Sequence, residues 1–300
     1  MSLPYDQMSE ESINLLLSEL KVSYNELKGK VAVIYEKYSK SGKLSFDEMQ
    51  KYSRMKNLME SIRKQFIEIG KRIVKNVEKV LTNEYEFGWL KSGYMIEAVI
   101  GKGNFGILNP LLVTKAINNQ FVGYTISERV TNLIGDIIGQ IRQAITRGLI
   151  QGESYTTMTK RIIDIRDKNA WMIQRIIRTE AHRIQNQANL DLTEEAISKG
   201  HKLEKYWVTA QDDAVRDAHE AMQGQKADKD GYFYSGEART KAPGGFGIPE
   251  LDINCRCGFS TKLIDFEDIT YTKEGFRKWL ERQGRSPKDI QQILNNVKDF

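Results

Sequence analysis

Residues 207–257 read WVTAQDDAVRDAHEAMQGQKADKDGYFYSGEARTKAPGGFGIPELDINCRC. This stretch holds both cysteines of the chain and one of its three histidines. Leu203 to Thr209 has the composition of a strand, Asp213 to Met222 of a short helix closed by Gly224, and Tyr232 to Tyr234 of a second strand. From Cys255 to Leu263 apolar and polar residues alternate with a period of two, which puts both thiols on one side. Three readings of the cluster stand open. Cys255 and Cys257 with His219 and Asp252 or Asp213 form a donor set for zinc. A Cys-His-Asp arrangement would make a nucleophile. Small cysteines under an aromatic hairpin would simply be core. One intervening residue strains any bridge between the two thiols, so a disulfide framework is not expected.

Outward from this stretch the pattern becomes helical. Ile13, Leu17, Leu20, Tyr24, Leu27, Val31, Ile34 and Tyr38 step by threes and fours, the seam of a long amphipathic helix. Ser41-Gly42-Lys43 breaks it, and Ser45 to Glu48 reads as a capping box. A second seam runs from Tyr52 through Phe66 to Val80, so 9–82 predicts an antiparallel hairpin. Lys56, Arg63, Lys64, Lys71, Arg72, Lys75 and Lys79 lie off that seam. They are candidates for phosphate contact, or a solvated face interspersed with Glu60, Glu68 and Glu78.

Residues 83–110 lose periodicity and read as a glycine-rich, aromatic connector. Within it Gly101 to Gly106 matches G-x-G-x-x-G, but no βαβ unit surrounds it, so a glycine turn is expected. Further helices fill 111–150, with another from Ser154 and a longer one over Ala170 to Lys199, separated near Asp164 to Lys168. Lys273 to Arg282 and Pro287 to Val297 form a terminal helical pair, the latter capped by Ser286.

Three hundred residues suffice for a large core without covalent staples. The start, MSLPYDQMSEES, has no apolar run, and no membrane span is expected. Forty-five basic against 40 acidic residues give +5, a weak bias towards acidic partners.

Arg178-Thr179-Glu180 with Arg183 and Asn186, then Trp207-Val208-Thr209 with Asp213, Arg216 and His219, then Asn254-Cys255-Arg256-Cys257, resemble the Mu F-like domain of phage head morphogenesis proteins. The resemblance covers about Ser154 to Leu263. It implies an α+β, predominantly α-helical chain, with a helical region over 1–153, a Mu F-like domain over 154–265 and a C-terminal pair over 266–300. Its signature residues would be Arg178, Glu180, Trp207, Asp213, Arg216, His219, Cys255 and Cys257, acting as framework and not as catalysts. It further implies a minor capsid protein of the virion, inside the head near the portal vertex, made in the host cytoplasm. Portal protein, double-stranded DNA and scaffold or major capsid protein are the partners implied, with no membrane. Many relatives have C-x-x-C where this chain has Arg216 to His219, and histidine where it has Asp252. No cofactor is therefore expected, and a zinc, if bound, would be held by His219, Cys255, Cys257 and Asp252. The rival readings are a metal-assisted nuclease or hydrolase using that cluster, and a DNA-binding module.

Overall fold

A computed structural model describes residues 7–101, 103–264 and 270–297. The expected domain boundary at 265 and the lysine of the G-x-G-x-x-G pattern, Lys102, lie outside them. The chain is predominantly helical, with small antiparallel sheets: α1 (Gln7–Tyr38), α2 (Phe46–Gln50), α3 (Arg54–Ile100), α4 (Pro110–Asn118), α5 (Ile126–Ile150), α6 (Tyr155–Ser198), β1 (Leu203–Val208), α7 (Asp217–Glu220), β2 (Phe233–Ser235), β3 (Ala238–Thr240), α8 (Pro249–Asp252), β4 (Gly258–Leu263), α9 (Lys273–Arg282) and α10 (Pro287–Asn296). No helix among the described residues is long and apolar enough to cross a membrane. The contacts divide the chain into two compact units. A helical unit comprises Ser12–Val77 and Ile126–Gln174, and a mixed unit comprises Met1–Glu11, Glu78–Thr125 and Arg175–Phe300.

In the helical unit α1 and α3 run antiparallel. Tyr24 meets Phe66 edge to face at 5.3 Å, Lys30 donates to Gln65 at 2.8 Å, and Arg72 pairs with Glu19 at 3.5 Å, so rising positions on one helix meet falling positions on the other. The turn between them uses Ser41 and Gly42 at positive φ. Ser45 caps α2 by accepting from the Glu48 amide, but only half of the expected box forms, because the Glu48 carboxylate turns to Lys51 and Arg54. Tyr52, expected on the seam, lies at φ 54° in the break before α3 and is exposed. Val130, Leu133, Ile134, Ile137, Ile141 and Ile145 bury the inner face of α5.

The connector expected over 83–110 is a correction: α3 continues through it to Ile100. Tyr85, Trp89, Leu90 and Tyr94 are buried here, and so are Glu84, Lys91 and Ser92. A helix covered on nearly every side carries no amphipathic period to read. Its glycines are close-approach sites. A Cβ on Gly88 would stand 2.9 Å from the Gln185 carbonyl oxygen, and one on Gly93 3.1 Å from that of Phe105. The expected interruption of α6 near Asp164 to Lys168 is likewise absent. That segment contains neither glycine nor proline, so nothing opposes continuation. Gly101 at φ 83° ends α3 as a helix stop, and Phe105 folds back so that its amide donates to Glu97 and its carbonyl accepts from Trp89 Nε1 at 2.7 Å. The G-x-G-x-x-G pattern is a helix-ending turn.

In the mixed unit β1 pairs antiparallel with β4, Trp207 opposite Phe259, and β2 with β3, Phe233 opposite Thr240. A second core joins Phe87, Leu90 and Tyr94 of α3 to Phe276, Trp279 and Leu280 of α9 and Ile290 and Leu294 of α10. Trp279 is sealed there and donates from Nε1 to Glu97 at 2.9 Å. Trp279→Ala should lower stability by about 3–5 kcal/mol, because it opens a cavity and leaves Glu97 one donor short. Denaturant unfolding of the full chain, with unchanged slope and a lowered midpoint, is the expected result.

Candidate metal centre

The loop Ile253 to Cys257 approaches β4 through Asn254, whose positive φ of 56° turns the chain sharply. The two cysteines lie just before the strand and not in it, yet their sulfurs do face one side. His219 Nδ1 is 3.7 Å from Cys255 Sγ and 3.4 Å from Cys257 Sγ. All three are buried. Trp207 meets the His219 ring edge-on at 5.6 Å and Phe246 stacks on it at 6.3 Å. The Cys257 amide donates to Cys255 Sγ at 3.4 Å. The thiols are unequal. Contact with Cys255, ahead of the opposing effect of burial, holds Cys257 below the usual thiol range, while the same contact and then burial push Cys255 up.

Residues of α6 hold this loop in place. Thr179 Oγ1 accepts from the Asn254 amide at 3.1 Å. His182 Nε2 sits 2.6 Å from the Cys257 carbonyl oxygen, which also accepts from Asn186 at 3.1 Å. Asn189 donates to the Phe259 carbonyl at 3.1 Å. These four residues recur at steps of three and four along one helix face. In the sequence His182 falls among apolar positions and hides a stripe that is polar; the three-and-four spacing was the available signal.

The signature residues separate by place. Glu180 and Arg183 pair at 2.8 Å with side chains only 1% and 6% exposed. Arg183 also donates to the Ala116 carbonyl at 3.1 Å. Arg216 donates to the carbonyls of Leu251 and Ile253. Arg178 is half-buried on α6, and Asp213 is exposed before α7. Asp252 is buried, but its carboxylate accepts from the amides of Phe246, Gly247 and Ile248, and burial pushes its pKa up against those bonds. Among the described residues the donor group that converges is His219, Cys255 and Cys257, with ligand atoms within 4.8 Å of one another; neither Asp252 nor Asp213 is in it. Two thiols and one imidazole fit three positions of a tetrahedral soft-metal site. Among the described residues, His219 Nε2 and Trp207 Nε1 are buried and find no hydrogen-bond partner.

The candidate phosphate-contacting residues on α3 are all exposed. Lys64, Lys71 and Arg72 pair with Glu60, Glu68 and Glu19. Among the described residues Arg63, Lys75 and Lys79 make no ion pair. Lys56 instead lines an open groove of about 1400 Å³ in the helical unit, together with Arg142, Arg147, Arg161 and Lys168 and one acid, Asp164. The four basic residues added by α5 and α6 were not identified from the sequence, because they are scattered along two helices and only the fold brings them beside Lys56.

Residues 139–260 match the family model described as Phage Mu protein F like protein, so the resemblance read from the sequence is shown for this part of the chain. Minor head protein GP7 of Bacillus phage SPP1 is 28% identical over 236 residues, 77% of this chain and 76% of that protein. NAD(+)-arginine ADP-ribosyltransferase EFV of Enterococcus faecalis is 24% identical over 252 residues, 83% of this chain but 50% of that protein, so the chain spans about half its length. No solved structure matches.

Behind the thiols, Lys205 of β1 is buried with Nζ 5.4 Å from the Phe233 ring and 5.3 Å from that of Phe259, donating to the Lys241 carbonyl at 2.7 Å. Burial lowers its pKa from 10.5 to about 8. Between those values the unfolded chain holds the proton that the folded chain has lost, so this residue makes stability rise with pH. Unfolding free energies of wild type and Lys205→Met, measured from pH ~7.5 to ~9.5, should diverge by about 2 kcal/mol in favour of wild type as pH rises. Parallel curves would contradict the assignment.

Proposed function

We propose that this chain is a minor head protein of a tailed phage or prophage, a structural component that binds the portal and contacts DNA during assembly, packaging or ejection. The observation that carries the reading is the extent of likeness to the SPP1 minor head protein. The 236 aligned residues exceed the 122 of the Mu F-like match and take in three quarters of both chains. The alignment to the ADP-ribosyltransferase is longer on this chain, 252 residues, but takes in only half of that protein, so it is coverage of both partners that favours the minor head protein. Framework use of the signature residues agrees with it: Arg216 is bonded to the carbonyls of Leu251 and Ile253, and Glu180 is held in a buried pair with Arg183. Purifying the chain from induced or infected cells should bring a portal subunit with it in fixed ratio; a chain recovered alone under conditions that preserve heads would remove portal binding.

DNA contact is assigned to the groove of the helical unit, where Lys56, Arg142, Arg147 and Lys168 line one surface with the single lining acid Asp164, the fifth cation, Arg161, being paired with Glu153. Phosphate contacts of this type make affinity fall with salt. The triple variant Lys56→Gln, Arg142→Gln and Lys168→Gln should weaken duplex binding for all sequences alike and lower the slope of log affinity against log salt by roughly one for each phosphate no longer held. An unchanged slope would take DNA off this surface.

Zinc is proposed as a structural ion at His219, Cys255 and Cys257, where it would join the helix α7 to the loop before β4. Elemental analysis of the purified chain should give about one zinc per molecule. Cys257→Ser should release it and lower the melting temperature, whereas a metal-free wild type of equal stability would leave the three residues as plain core.

The catalytic reading draws on the ADP-ribosyltransferase relative and on the thiol–imidazole cluster. Against it, the thiols and the imidazole are buried and the acid Asp213 is exposed before α7. Incubation with NAD and an arginine acceptor, or with DNA and divalent metal, is expected to give no product above a heat-treated control.

A further inference from the structure

A second, smaller cavity lies wholly within the mixed unit, about 300 Å³ in volume, and among its lining residues are three cations and no carboxylate. Arg183 is its buried cation. Nε and Nη2 are committed to Glu180, and Nη2 also to the Ala116 carbonyl, while Nη1 makes no hydrogen bond among the described residues. Arg239 stands exposed with its guanidinium 4.6 Å from the Tyr232 ring centre and has no ion pair among the described residues. Lys241 completes the group and is shared with Glu194 at 2.9 Å.

The loop Pro243 to Gly245 supplies the wall. Gly244 has φ +81°, and a Cβ on it would stand 3.3 Å from Arg183 Cβ; one on Gly245 would stand 2.8 Å from Thr240 Oγ1. Backbone therefore reaches the arginine with no side chain between. The next three amides, of Phe246, Gly247 and Ile248, are spent on Asp252. Those of Gly244 and Gly245 hydrogen-bond to nothing among the described residues. Free amides in a turn, a guanidinium with one edge unfilled and an arginine without a counter-charge are the components of a site for a tetrahedral anion.

We infer that this cavity binds a phosphate group, carried either by a free mononucleotide or by the 5′ end of a nucleic-acid strand. The volume is at the lower limit for small-ligand sites, room for a phosphate with its sugar and too little for duplex. Arg183 and the two glycine amides take the phosphate oxygens, and Arg239 and Lys241 close over them. Nothing in this assignment depends on head assembly, so the two readings stand or fall separately.

The test is calorimetric titration of the full chain with inorganic phosphate, AMP, adenosine, and a tetranucleotide with and without a 5′ phosphate. Phosphate and AMP should bind and adenosine should not. Arg239→Gln, an exposed position, should weaken AMP at least tenfold without shifting the melting temperature, and Arg239→Gln with Lys241→Gln more so. A phosphorylated tetranucleotide tighter than AMP identifies the strand end as the source; AMP equal or tighter identifies the free nucleotide. The inference is overturned if neither phosphate nor AMP binds, if adenosine binds as tightly as AMP, or if Arg239→Gln binds AMP like wild type.

Discussion

The mixed unit depends on a buried polar face of α6. Thr179, His182, Asn186 and Asn189 present side-chain donors and acceptors to the thiol loop and the start of β4, and they take up the Asn254 amide and the Cys257 and Phe259 carbonyls. Unpaired, those groups would each cost a few kcal/mol in an interior. Paired, they fix where the loop lies, and with it the position of both thiols and the start of β4. The same helix carries the buried Glu180–Arg183 pair and presents Gln185 and Ala188 to Gly88 of α3. One face of one helix thus sets the thiol loop, the entry to the sheet and the approach of α3.

The consequence for the thiol–imidazole group is rigidity without access. His219 comes from α7, a single turn, and is held between Trp207 and Phe246. The three donor atoms converge with His219 Nδ1 in contact with both sulfurs and its ring enclosed by Trp207 and Phe246. Such packing suits a structural ion or a plain core equally well.

How much of this was legible depends on what each residue faces. The α1 and α3 seams, the caps at Ser45 and Ser286 and the strand around Trp207 read correctly because one side of each element meets water and the pattern shows it. Residues 83–100 did not, since a helix buried nearly all round loses its period and its glycines look like breaks. The polar ladder on α6 escaped for a related reason: polar residues at core spacing look like surface until a partner loop is known. Asp252 is a candidate ligand by residue type and nearness in sequence, whereas three nearby amides claim its carboxylate. The basic groove was invisible because its cations come from three helices far apart in sequence.

The two compact units alternate along the chain, so neither is a continuous piece of sequence. Synthesis passes through Ser12–Val77, then a segment of the mixed unit, and only with Gln174 is the helical unit complete. Until the segment Arg175–Phe300 has emerged, Trp89, Tyr85 and their neighbours on α3 have no cover from that larger part of their own unit. The nascent chain therefore carries an apolar aromatic surface through much of its synthesis, a period when chaperones or an early-binding partner would have the greatest effect on yield. No single cut in the sequence separates one unit from the other, and truncations placed at the ends of the Mu F-like match would leave both without part of their core.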